Sequence, residues 1–294
     1  LFSDYAFKHR SIWIPPGTTI RYRDPEYLDL PVGSVITKTF TYPFDFRDPA
    51  KGERFLETRL LIHRPSGWVA LTYLWDPVTK EAYLKRGGAF LETEWINLEG
   101  QPVHHTYFVP DLKQCKGCHS ETENVVTPLG VKARQLNREF LYPDGVRRHQ
   151  LLYLKELGML EGLPEDPHEI PLLPPWEDER YTLEERARSY LEANCAPCHN
   201  PQGPARSSGL YLYASVTNPV EYGICKTPVA AGRGAGPDRR YDIVPGNPDA
   251  SILVYRMESL DPSVMMPEIG RRLSHREAIA LIMEWIASIP GSCP

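Results

Sequence analysis

The segment Cys-x-x-Cys-His occurs twice in this chain, as Cys115-Lys116-Gly117-Cys118-His119 and as Cys195-Ala196-Pro197-Cys198-His199. It limits the fold strongly, because each copy asks one short turn to present two sulfurs and an imidazole on the same side. A spacing of three lets both thiols add, as thioethers, to the vinyl groups of one porphyrin, and the next residue's imidazole then projects onto the iron. Each copy is therefore expected to anchor one haem c, with His119 and His199 as the proximal iron ligands. Other uses of Cys-x-x-Cys explain less. A zinc ribbon sets its second pair about 15–20 residues away, whereas His119 and His199 are 80 positions apart. A thioredoxin-like dithiol accounts for the cysteines but neither for the adjacent His nor for its recurrence.

Six cysteines are present, and Cys225 and Cys293 lie outside the motifs. Haem c attachment implies an oxidising compartment, where unpaired thiols seldom persist. These two are expected to form a disulfide in an exported, periplasmic or extracellular protein. The opening Leu1-Phe2-Ser3-Asp4-Tyr5 lacks the basic and apolar stretches of a signal peptide, so the chain reads as a mature or trimmed form. No apolar run approaches the roughly 18 residues of a membrane span. The formal charge of −5 argues against nucleic acid or an anionic membrane as main partner. Arg147-Arg148-His149 is a local basic patch, read as a solvated loop.

The 294 residues suffice for one large or two ordinary domains, and the 29 prolines predict many turns and long ordered connections. The stretch 35–42 alternates and is rich in β-branched and aromatic residues, 60–63 and 68–75 are expected to form a hairpin around Arg64-Pro65-Ser66-Gly67, and Asn97-Leu98-Glu99-Gly100 marks another turn. Helices are expected over 149–156, closed by Gly158, from a capping box at Thr182 and Glu185, and from Ser274 with Glu277 at the matching position. Ile279, Ile282, Trp285, Ile286 and Ile289 give the last one an apolar stripe. The fold class expected is α+β: an antiparallel β-rich region followed by mainly α-helical cytochrome c-type haem regions. Residues 1–165 form a β-rich domain with the first motif, and residues 178–294 a second domain with the second, joined by a proline-rich connector.

The second motif is followed by Asp261-Pro262-Ser263-Val264-Met265-Met266-Pro267 and a final helix, a layout that resembles class I cytochromes c. That resemblance implies a Met thioether as sixth iron ligand and names Met266, with Met265 and Met257 as alternatives. For the first haem the candidates His63, His104, His105 and Met159 stay open, as does an unfilled sixth position.

Several stretches resemble a family of bacterial di-haem c-type cytochromes, long described as conserved hypothetical proteins, with a β-rich N-terminal region. They include LFSDYAFK (1–8), PVGSVITKTF (31–40), ETRLL (57–61), QCKGCH (114–119), RARSYL (186–191), NCAPCHN (194–200), PARSSGL (204–210), YDIVPGNPDASI (241–252) and MMPEIG (265–270). The family usually carries sequence before LFSDYA, so this chain is expected to start inside the natural one. The resemblance implies two haems, export and electron transfer with redox partners: a cytochrome, a copper protein or a dehydrogenase. Rival readings are a di-haem peroxidase or oxidase with one open haem, whose motifs are normally farther apart, and a structural subunit that wires a larger complex.

Overall fold

The β-branched and aromatic residues that crowd the first third of the chain fold into strands. The computed structural model describes residues 1–23, 27–119, 126–166, 169–229 and 231–294, with Cys118 described in its backbone only. After β1 (Phe7–Trp13) and the two-residue β2 (Ile20–Arg21) come β3 (Val35–Pro43), β4 (Glu53–Arg64), β5 (Gly67–Trp75) and β6 (Ala82–Lys85). Strands β1, β3, β4, β5 and β6 form one five-stranded sheet in that order, every pair antiparallel. The β4–β5 hairpin turns at the expected place, where Gly67 takes a φ of +106° that side-chain-bearing residues avoid. A separate hairpin pairs β7 (Ala89–Ile96) with β8 (Pro102–Val109) around the expected turn at Asn97–Gly100.

One face of the large sheet carries Arg10 and Ile12, Ile36, Lys38 and Phe40, and Glu57, Arg59 and Leu61, as their pairing register requires. Its two ends enter different cores. At one end Phe40 joins Tyr42, Leu56, Trp95, Tyr107 and Val109, with the Tyr42 and Trp95 rings stacked at 4.2 Å. At the other, Ile12, Ile36 and Trp68 pack on Ile20, Leu28, Leu30, Leu151, Leu160 and Ile170.

The chain then turns through α1 (Leu112–Cys118), α2 (Ala133–Leu136), the small hairpin of β9 (Glu139–Leu141) and β10 (Arg147–His149), α3 (Gln150–Glu156) and β11 (Leu160–Glu161). Strand β11 pairs in parallel with β2. The last part holds α4 (Leu183–Asn194), α5 (Ile252–Glu258) and α6 (Arg276–Ser288) around a third core that includes Leu191, Leu212, Tyr222, Ile243, Ile282, Trp285 and Ile286.

The expected fold class is corrected here. The region after β8 is not mainly α-helical and shows no helical cytochrome c-type regions; the molecule is β-rich with a small helical portion. Among the described residues only α4 and α6, of 12 and 13 residues, exceed two turns. The physical reason is in the composition of 197–250, where prolines and glycines break helices and the backbone satisfies itself through short turns. The expected start of the last helix also moves: His275 is the N-cap of α6, with no side-chain cap. The Ser274 carbonyl and the Glu277 carboxylate both accept from the Tyr5 hydroxyl, at 3.3 and 2.9 Å, which takes Glu277 away from the helix end. The capping box of α4 is formed as expected, Thr182 N–H donating to Glu185 at 2.9 Å and Glu185 N–H to the Thr182 hydroxyl at 3.3 Å.

Residues from the start of the chain are bonded to the last part. Asp4 Oδ1 accepts from the backbone N–H groups of Arg272 and Leu273, each at 2.7 Å. Arg134 and Glu192, both buried, pair at 3.1 Å. No helix among the described residues is long and apolar enough to cross a membrane.

Candidate functional site

Both Cys-x-x-Cys-His segments close a helix, and they do so with the same bond. At the end of α1 the His119 N–H donates to the Cys115 carbonyl at 3.0 Å; after α4 the His199 N–H donates to the Cys195 carbonyl at 2.9 Å. One helical turn thus carries first cysteine, second cysteine and histidine in each case. The α1 turn is fixed from its other end by a capping box, Asp111 accepting from Gln114 N–H and Gln114 Oε1 from Asp111 N–H, each at 2.9 Å. The Cys118 side chain lies outside the described residues.

Each imidazole is held through its Nδ1 side. His119 Nδ1 lies 2.9 Å from the Thr127 carbonyl, and His199 Nδ1 lies 3.4 Å from the Ser208 hydroxyl, with a backbone bond at Leu210 as well. Orienting a histidine by one nitrogen leaves the other, Nε2, to reach a metal. Burial pushes each ring down to about 4, so each is neutral near pH 7 and has a lone pair to give. Burial acts the other way on Cys195, whose thiol is pushed up to about 12. Such a thiol is a poor redox nucleophile.

The surroundings differ. Cys195 lines a largely apolar recess with Met257, Met266, Arg271, His275 and Phe2. Met266 is half-buried and faces this recess, whereas Met265 is buried at 8% exposure and does not line it. The segment bearing Met266 is clamped by a side chain that the sequence reading missed. Buried Arg271 donates to the carbonyls of Met266, Arg256, Ser259 and Leu273, at 3.0, 3.1, 2.9 and 3.2 Å. Met266 N–H in turn donates to the Arg256 carbonyl at 2.9 Å. The Arg271 Nε, also buried, has no partner among the described residues.

Beside the first motif stand charged strands. The cations of Lys38 and Arg59 both act on the His119 ring, and Arg59 acts on Cys115. The four distal candidates take separate places. His63 stacks on Trp68 at 4.5 Å and bonds the Leu30 carbonyl at 3.0 Å. His104 is exposed, 3.3 Å from Glu94. His105 is buried against Asp4 at 2.9 Å. Met159 follows α3, with its carbonyl accepting from Ile20 N–H at 2.8 Å.

The leftover cysteines are bridged: Cys225 and Cys293 form a disulfide that ties the segment after α6 to the loop before Asp242. Among the described residues no three His, Cys, Asp or Glu side chains converge as a site for a bare metal ion. No family model, curated protein or solved structure matches this chain.

Proposed function

We propose that this chain is an exported di-haem c-type cytochrome that relays electrons between redox proteins, such as a cytochrome, a copper protein or a dehydrogenase. In this reading Cys115 and Cys118 anchor one haem, Cys195 and Cys198 the other, and His119 and His199 hold the irons. Met266 supplies the sixth ligand at the second. The observation that carries the reading is the repeated turn, in which two unrelated helices end in the same Cys-to-His backbone bond and both histidines are oriented from Nδ1.

When bound, the group supplies a one-electron iron couple. The chain's own residues do the rest. The turns fix the sulfurs and imidazoles, the apolar recess at Cys195 keeps water from the second centre, and Arg271 holds the Met266 backbone where its thioether can approach. The fit of the residues is chemical: two thiols, a neutral imidazole and, at the second site, a thioether facing the same recess as Cys195. The disulfide supports export, since such bonds are rare in reducing compartments.

The test is the mass of the denatured protein produced in a periplasm with its haem-attachment machinery. Two covalent haems are expected, falling to one in Cys198→Ala. A mass with no haem, or with zinc instead, would overturn the reading.

A further inference from the structure

The inward face of the five-stranded sheet has a charged band across its middle. Arg10 stands directly opposite Lys38, and Lys38 directly opposite Arg59. Side chains so paired have Cβ atoms about 5 Å apart, and like charges there are destabilising. Apolar rows flank the band on both sides: Phe40 with the Tyr42–Trp95 core on one, Ile12, Ile36 and Trp68 on the other. Lys8, beside Phe40, adds a fourth cation to the same face.

The carboxylate within this band is Glu57, and it is committed. Arg59 grips it with two bonds of 2.8 and 2.5 Å, and the Tyr107 hydroxyl donates to it at 2.8 Å. Lys8 Nζ donates to the Ala6 carbonyl and Arg10 to the Lys8 carbonyl, both at 2.9 Å. The Lys38 ammonium lies 4.8 Å from the centre of the Phe40 ring. Among the described residues none of these three cations has a carboxylate within ion-pair distance. They remain partly open to solvent, yet crowding by protein and mutual repulsion hold the Lys38 ammonium well below its usual range and Lys8 at about 8. The row adjoins the first motif through bonds: Glu57, gripped by Arg59, accepts from Tyr107 on β8, four residues before the Asp111 N-cap of α1, and Lys38 and Arg59 both act on His119.

We propose that Arg10 and Lys38, with Lys8, beside the Arg59–Glu57 pair, form the binding site for the carboxylate groups of the porphyrin anchored at Cys115, Cys118 and His119. The proposal rests on the reading of that motif as a haem anchor. A porphyrin is an apolar plate with two carboxylates on one edge, and this face offers apolar flanks around a cationic centre. The anions relieve a repulsion that the folded chain otherwise carries alone.

The test compares Lys38→Met and Lys38→Arg in the two-haem protein and in a Cys115→Ala/Cys118→Ala chain, which keeps only the second haem. In the two-haem protein, Lys38→Met keeps both haems by mass and lowers one midpoint potential, that of the haem absent from the double-alanine chain. Loss of a nearby positive charge favours ferric iron. Lys38→Arg keeps the potential near its original value. Lys38→Met also lowers the thermal midpoint of the two-haem protein but raises it in the double-alanine chain, where the row faces no porphyrin carboxylate. Two haems with unmoved potentials, or equal destabilisation of both chains, overturns the proposal and leaves the cytochrome reading intact. A starting protein without haem at the first motif overturns both.

Discussion

The turn at Cys115 ends a helix of seven residues and feels the charges of Lys38 and Arg59 on the large sheet, while the turn at Cys195 ends a 12-residue helix set in an apolar core. Around the second turn, α4, α5 and α6 supply Leu191, Val254, Ile282 and Trp285, and a disulfide closes the far side. The same five-residue pattern thus folds alike in both places and is housed differently. Local sequence sets the turn, because its bond spans only four residues. The environment comes from segments far away in the chain, and it is the environment that tunes an iron centre, through burial, charge and the sixth ligand. On this comparison the second site should depend on hydrophobic packing and the first on charge, and substitutions can separate the two.

The largest separation is expected from Trp285→Ala. Trp285 is 3% exposed and its ring meets Tyr222 edge-on at 6.1 Å. Emptying that volume should cost about 3–5 kcal/mol, read as a fall in the denaturation midpoint. If both turns carry haem as proposed, the spectrum of the second should change while that of the first holds. Equal disturbance of both would break the distinction.

Cys293→Ser comes next. The bridge spans 68 residues, so its loss should remove on the order of 4 kcal/mol by the chain-entropy model. Titration of the unfolded, unreduced wild type should find no free thiol. The loosened loop adjoins Asp242 and Ile243, near the second turn, so the second site should again respond first.

Arg271→Leu should cost roughly 2–3 kcal/mol, because it leaves four half-buried carbonyls without their charged donor. Its sharper effect is on Met266. If the clamp holds that thioether at the iron, the weak near-infrared band of sulfur-ligated ferric haem disappears and one midpoint falls, as it should for Met266→His. Met265→Leu should leave the band. Were Met265→Leu to remove it instead, the wrong methionine would have been assigned.

Parts of this arrangement were legible in the sequence and parts were not. The motif turns, the α4 capping box and both hairpins rest on bonds between residues a few positions apart, so their signals lie side by side. The Cys225–Cys293 pairing followed from compartment logic and elimination rather than from contacts. Helical content was overread, because the stripes in α4 and α6 are real but residues 197–250, between α4 and α5, obey proline and glycine, not periodicity. Arg271 and the Arg10–Lys38–Arg59 row were invisible for another reason. Each is an ordinary surface-type residue until strand register or loop packing sets it beside others that are remote in sequence. The helix start at Ser274 failed the same way, since Tyr5 takes the Glu277 carboxylate that would have completed its cap.

The smallest effect expected is one of pH, and it too should fall on the second site. His275 lines the recess with Cys195 and Met266, stacks on Phe2 at 4.3 Å and lies 3.1 Å from the Tyr190 hydroxyl. Burial pushes its ring down to about 4, with Glu277 opposing and Lys8 reinforcing the shift. An ordinary histidine titrates near 6.5, so between those values the unfolded chain binds a proton that the folded chain refuses. Stability is then complete above about 6.5 and is lost as the pH falls toward 4. The full shift corresponds to about 3 kcal/mol, and roughly 1–2 kcal/mol is a better figure for a ring that solvent still partly reaches. His275→Phe keeps the stack on Phe2 and removes the titration. In the two-haem protein this variant should show a flatter stability profile between pH 6.5 and 4, with the second site's spectrum constant across that range. The wild-type second site should change before the first as acid is added. An unaltered slope in His275→Phe would assign the acid response to other groups, and a first site that changes earlier would mean that its charged surroundings, not the apolar recess, are the acid-sensitive part of the molecule.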